Sequence, residues 1–177
     1  MWDCIQDALP EVLRLSSQAD LAALCLVSKA SRASTEPFLH QNIEWTRSRS
    51  QTPPIVAFLR TILRRPELAA HVRRVALLGR DLNQGDGRRD LACWVGETGL
   101  LHDALKVFES LKVLKMHYVR VWKNYVHLGE METLAALLLS QLHRLTHLVL
   151  DPNFTREAGT LGVFFRSALC ENRGHYP

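Results

Sequence analysis

Two histidines, His143 and His147, stand four residues apart, the spacing at which one helix face can hold a zinc ion. The rest of a zinc site is missing. Arg144 occupies the place where a metalloprotease helix carries its glutamate. A helical pattern also ends near His143, while His147 falls in strand-like sequence, so the two rings are not expected to share a face. His117 and His127 lie beside aromatic residues and read as surface or core histidines. Cys4, Cys25, Cys93 and Cys170 form no Cys-x-x-Cys, and each has apolar neighbours, as free buried thiols in a reducing compartment do. The stretch from Gly79 to Asp90 holds Gly85 and Gly87 but no Gly-Lys-Ser/Thr ending, so it reads as a loop and not as a phosphate cradle. No Gly-x-Ser-x-Gly, catalytic carboxylate pair or Cys/His dyad at recognisable spacing occurs. The expectation is a protein that is not an enzyme and that uses neither metal nor cofactor.

The elements that would position these residues are those of a folded chain. Of 177 residues, 47% are hydrophobic and 23% charged, values at globular averages that exclude a disordered tail. Met1-Trp2-Asp3 lacks the basic start of a secretory signal, and apolar runs such as Leu134 to Leu139 are too short to span a bilayer. A cytoplasmic or nuclear address and no membrane contact are expected. The net charge of +4 is unevenly placed: residues 1–46 carry three basic and six acidic side chains, residues 47–89 ten arginines and three acids. Arginines spread over a linker, a helix and a strand, without aromatics between them, suit a solvated face or an acidic partner better than nucleic acid.

Trp2, Ile5 and Leu9 share the face of a short first helix that Pro10 is expected to stop. Glu11 to Ala19 reads as a connection with a turn at Ser16-Ser17. Asp20 is expected to cap a second helix, whose Leu21, Leu24 and Val27 form an apolar face and which closes at Ser28-Lys29. A further helix is expected to end at Thr35-Glu36-Pro37, and Phe38 to Trp45 to pass into an extended segment. Thr46 to Pro54 has linker composition, with Thr52 placed to cap the next helix. Ile55 to Val72 is a helical pattern broken at Pro66, and Arg73 to Leu78 reads as a strand.

Asp20-Leu21, Leu24, Leu26-Val27-Ser28-Lys29, Pro37 and Phe38-Leu39 follow the order DL-x-x-L-x-L-V-S-K, then proline, then an apolar pair. This resembles the second half of an F-box. Trp2, Ile5 and Leu9-Pro10 resemble the later part of the family's first helix, whose opening LP-x-E has no counterpart here. Taking Leu9-Pro10-Glu11-Val12 as that opening leaves too few residues before Asp20. Leu59-Arg60-Thr61-Ile62-Leu63-Arg64-Arg65-Pro66-Glu67-Leu68-Ala69, then Val72-Arg73, is similar to a stretch that follows the F-box in fungal F-box proteins.

Three segments share a further shape. Leu145 to Asn153 fits L-x-x-L-x-L-x-x-N, Leu111 to Val119 fits L-x-x-L-x-M, and Val72 to Leu77 fits V-x-x-V-x-L, starting 39 and 34 residues apart. Each follows an amphipathic stretch: Ile55–Arg64, Leu91–Leu111 and Met131–His143. One strand and one helix per unit, each unable to bury its face alone, is the logic of a leucine-rich-repeat-like solenoid. A small mixed α/β domain with parallel strands is the other reading. Arg156 to Cys170 reads as another helix, followed by a polar end without a repeat cap.

The expected fold is therefore α/β and helix-rich. A three-helix F-box-like module occupies residues 1–45, truncated at its N-terminal edge. A linker follows at 46–54, and an incomplete leucine-rich-repeat-like strand–helix solenoid at 55–177. The resemblance implies the substrate-recognition subunit of a cullin–RING ubiquitin ligase. Its F-box would dock on a Skp-type adaptor, and through it a cullin, while the repeat domain holds a protein substrate. The expected docking residues are Trp2, Ile5, Leu9, Pro10, Leu21, Leu24 and Val27. Two other classes stay open: a non-catalytic interaction scaffold with a vestigial F-box, and a nucleic-acid-associated protein using the arginine-rich segment 47–89.

Overall fold

The first helix, α1, spans Trp2–Leu15 and contains Pro10 in its interior. The computed structural model describes residues 2–47, 54–79, 95–96, 99–110, 116–151, 159, 161–163 and 165. Pro10 was expected to end this helix, since it has no N–H for the carbonyl four residues back. Helix formation continues because the segment after it has its own anchors. Leu13 is buried, and the Ser16 hydroxyl donates to the Val12 carbonyl at 2.8 Å, satisfying one of the last turn's free acceptors. The expected connection from Glu11 to Ala19 thus shrinks to the joint at Ser16-Ser17.

Helix α2 spans Gln18–Val27, and its cap is Ser17, not Asp20. The Ser17 hydroxyl oxygen accepts from the Asp20 amide at 3.1 Å and its O–H donates to the Asp20 carboxylate at 2.6 Å. Asp20 therefore stands in the first turn, where a negative charge meets the positive end of the helix dipole. Ser28, in extended conformation, closes α2 and caps α3 (Lys29–Leu39), accepting from the Ser31 amide at 3.0 Å. The Ser31 hydroxyl reaches back to the Leu24 carbonyl at 2.7 Å, fixing the corner between the two helices. α3 runs past Thr35-Glu36-Pro37, the expected stop, to Leu39.

Three parallel strands follow, in sheet order β1-β2-β3: β1 (Asn42–Arg47), β2 (Arg74–Gly79) and β3 (His147–Leu150). Ile43 faces Val75 and Trp45 faces Leu77 across the first pair, and Val75 faces Leu148 across the second. Parallel strands need a crossover. The first is α4 (Pro54–Arg64) with a 3-10 turn (Pro66–His71), so the pattern broken at Pro66 is observed as expected. Between β2 and β3 come α5 (Leu100–Ser110), α6 (Met116–His127) and α7 (Met131–Gln141). The turn from α6 into α7 needs Gly129 at φ 66°. Its amide bonds the Val126 carbonyl at 3.0 Å, and the Glu130 amide bonds that of Tyr125 at 2.9 Å, the glycine-dependent helix ending of a Schellman motif.

The core lies where α4 and α7 cover one face of the sheet. Leu59, Ile62, Val75, Leu77, Leu134, Leu137 and Leu138 are among its buried residues. The opposite face carries Asn42, Glu44, Arg74, His147 and Val149, all exposed. Ala76, small and flanked in register by Glu44 and Val149, is buried among them.

The repeat reading needs a correction at its middle copy. Met116 to Val119 belong to α6, and β2 has its two edges taken by β1 and β3, so no strand from that segment stands between them. The helix expected over Leu91–Leu111 is described from Leu100. The expected positions of Thr52, Cys93, Cys170 and the loop after Gly79 lie outside the described residues, as does most of Arg156–Cys170. β1, expected only as an extended segment, joins the sheet and straddles the expected boundary at residues 45 and 46.

Candidate docking face

An α-helix advances about 100° per residue, so Leu21 and Cys25, four apart, share one face of α2. That is the face the protein covers: Leu21 is 3% exposed and Cys25 half-buried, with α3 the main neighbour of α2. Leu26 and Val27 lie roughly 100–140° away around the helix axis and are open, at 83% and 73% exposure. Leu24, at the edge, is 36% exposed. Alanines at 22 and 23 complete a helix that is apolar nearly all round. Such a helix is normally buried on every side.

α1 continues this surface by type. Leu13 turns inward, and Leu9, Val12 and Leu15 are exposed, Leu15 at 88%. Of the residues expected to dock, Leu9, Pro10, Leu24 and Val27 are exposed, and Leu21 is not available because it packs inside the three-helix module. Trp2 and Ile5 lie on α1, and their side chains fall outside the described set. Val12, Leu15 and Leu26 were missed. The signal for the first two was hidden by treating Pro10 as a stop, since Leu9, Val12 and Leu15 recur every third residue once α1 is allowed to continue. Leu26 was passed over because the periodic pattern Leu21, Leu24, Val27 drew attention to a single stripe.

The surface is held in place by charge at the other side of the module. Arg65, just after α4, donates two hydrogen bonds of 2.8 Å to the two carboxylate oxygens of Glu36 on α3, and one of 2.9 Å to Glu67. The hydrogen bonds from Arg65 hold the Glu36 carboxyl below its usual range, partly opposed by desolvation. The same bonds raise the affinity of Arg65 for its proton. Burial pushes the Cys25 thiol up, and the Glu36 charge adds to that shift. Burial pushes His40, at the end of α3, down; its ring lies 5.8 Å from that of Phe58, which in turn meets Trp45 edge-on at 5.3 Å. The Gln18 side-chain amide adds a 3.0 Å bond from α2 to the Asn42 carbonyl of β1.

Among the described residues no three His, Cys, Asp or Glu side chains converge as metal ligands. His143 stands in the turn after α7 and His147 in β3, so the pair does not share a helix face. No helix among the described residues is long and apolar enough to cross a membrane. Compared with known proteins, the chain matches no family model, no curated protein and no solved structure.

Proposed function

We propose that the protein is a substrate receptor of a cullin–RING ubiquitin ligase. On this reading α1 and α2 dock on a Skp-type adaptor, and the strand–helix body behind them holds a protein substrate. The observation that carries the reading is the uncovered apolar surface of α2 and α1, in the segment whose sequence resembles an F-box. A helix that leaves Leu26 and Val27 in water gains nothing from them alone; burial of each against a partner contributes roughly 1.5–3 kcal/mol. The body supports the second half of the reading. Among the described residues, helices cover one face of the parallel sheet, as in a leucine-rich-repeat-like stack, and the other face presents exposed side chains that could meet cargo. The protein performs no chemistry on this view. It raises the effective concentration of substrate lysines near the ubiquitin-loaded enzyme, in the cytoplasm or nucleus.

The arginine-rich segment weighs against nucleic acid as the main ligand. Arg64 pairs with Asp103, and Arg65 with Glu36 and Glu67, which removes both from a phosphate-binding array.

The test is co-purification of the tagged chain with a Skp-type adaptor and a cullin. The wild type is expected to retain both. Leu26→Asp with Val27→Asp, or Leu24→Asp with Val27→Asp, is expected to lose them, since anchors of this kind are worth about 2–4 kcal/mol. Equal capture by a folded double variant rejects the reading and leaves the scaffold alternative.

A further inference from the structure

At the end of the sheet where β2 and β3 begin, the chain gathers positive charge. Arg74 and His147 are register partners on adjacent strands, about 4.8 Å apart, and both are exposed on the open face. The Arg73 carbonyl accepts from the amides of Thr146 and His147 at 2.9 and 3.0 Å, and the Arg73 guanidinium donates to the Arg144 carbonyl at 3.4 Å. Arg144 and His143 are exposed in the turn just before β3.

The charges here differ from those elsewhere in the molecule. Arg14, Arg32, Arg64 and Arg65 each meet a carboxylate. Arg73, Arg74 and Arg144 meet none among the described residues. Glu44, on the same sheet face two residues along β1 from the Arg74 row, forms no ion pair with Arg74. The Arg73 side chain reaches the backbone of Arg144, and Arg74 follows Arg73 in the chain, so three arginines share one end of the sheet with no carboxylate paired to them among the described residues, which favours an incoming anion.

Among the described residues, the outer edge of β3 has no partner strand. The His147 and Asp151 amides donate towards β2, so alternation turns the backbone groups of Leu148 and Leu150 to the other side, where the described residues place no strand. The geometry points to an extended acidic peptide segment as the ligand of this corner, lying along β3 with its carboxylates against Arg74, Arg144 and Arg73. Main-chain bonding to an open edge supplies affinity, and the arginines supply the choice of sequence. Single-stranded nucleic acid fits less well, because residues 72–75 and 142–148 include no Phe, Tyr or Trp to serve as a stacking platform. As a statement about cargo, this assignment rests on the receptor reading; as a binding surface it is measured without any adaptor, so each can fail alone.

The experiment is fluorescence polarisation of the purified full chain with a labelled oligo-glutamate peptide, and in parallel a labelled single-stranded oligonucleotide, at low and physiological salt. The wild type is expected to bind the peptide, more weakly as salt rises. Arg74→Glu with Arg144→Glu is expected to weaken binding about tenfold or more, while Lys106→Glu with Lys123→Glu, the same change of charge at two other exposed sites, stays within about twofold. Should the first variant not melt cooperatively, Arg144→Glu alone, in the turn outside the sheet, carries the test, with an expected loss of about threefold. Absence of peptide binding, equal loss in the lysine variant, no loss in Arg144→Glu, or tighter binding of the oligonucleotide overturns the assignment.

Discussion

Helices α2 and α7 are built from almost the same residues and meet opposite fates. α7, METLAALLLSQ, is buried from Thr133 through Leu139 without a break. α2, QADLAALCLV, has one buried residue, Leu21. Both are apolar on all sides, which in a soluble domain calls for neighbours on all sides. α7 finds them within the chain, between α4, α6 and the sheet. α2 has α3 as its main neighbour and presents Leu26 and Val27 to solvent. The difference teaches that an apolar helix can be read as interface as well as core; on the proposed reading α2 gains its missing cover from a partner.

One substitution made in both helices gives the largest expected contrast. Leu137→Ala, at a site with no exposed surface, should cost about 2–5 kcal/mol in urea unfolding, because it leaves a cavity in a packed core. Leu26→Ala should change stability by no more than about 0.5 kcal/mol. A similar loss at both sites would mean that α2 is packed after all.

A smaller effect concerns the clasp that holds α3, and with it α2, to the rest of the chain. Glu36→Gln should lower stability by about 1 kcal/mol at neutral pH, a value reduced by solvent screening because the Arg65 side chain is 41% exposed. Its pH dependence has a defined sign. The folded-state pKa of Glu36 lies below the ordinary 4.5, so its contribution is complete above that pH and is lost as acid protonates the folded carboxylate. His40, held below 6.5 by burial, acts in the same direction over a higher window, since the unfolded ring takes up its proton first as pH falls below 6.5. Urea midpoints should therefore decline in two stages on acidification. Glu36→Gln should reduce the lower stage, to which Glu67 also contributes, and His40→Gln should remove the upper. A pH-independent midpoint between 7 and 3 would contradict both assignments.

Much of the body was legible in the sequence because period and punctuation agreed there. Ile55, Leu59 and Ile62 recur at helical spacing before Pro66, and α4 ends at Arg64 as that proline requires. The pattern V-x-x-V-x-L marked β2, and Leu145 to Leu150 marked β3. Pro10 misled because local chemistry was outweighed by what followed: Leu13 found a buried site and Ser16 closed the last turn. Leu111 to Val119 misled because strand-like alternation over so few residues also fits the start of an amphipathic helix, which Met116 opens. The proposed docking residues were half legible. Apolar type was visible at Leu21, Leu24, Leu26 and Val27, but which of them faces α3 depends on the corner at Ser28, where Ser31 bonds the Leu24 carbonyl. The basic corner was legible only in part: the arginines of 47–89 suited an acidic partner, but Arg144 joins Arg73 only through the pairing of β2 with β3.

The central claim, that α2 is a core-like helix whose missing cover is a partner, is tested most directly by hydrogen–deuterium exchange. Peptides covering residues 18–27 and 131–141 would be followed with and without a purified Skp-type adaptor. The account predicts slow exchange in the second peptide in both samples, and exchange in the first that slows markedly only when the adaptor is present. Unchanged exchange over 18–27 on adding the adaptor, or protection there as strong as that of 131–141 in the chain alone, would contradict it.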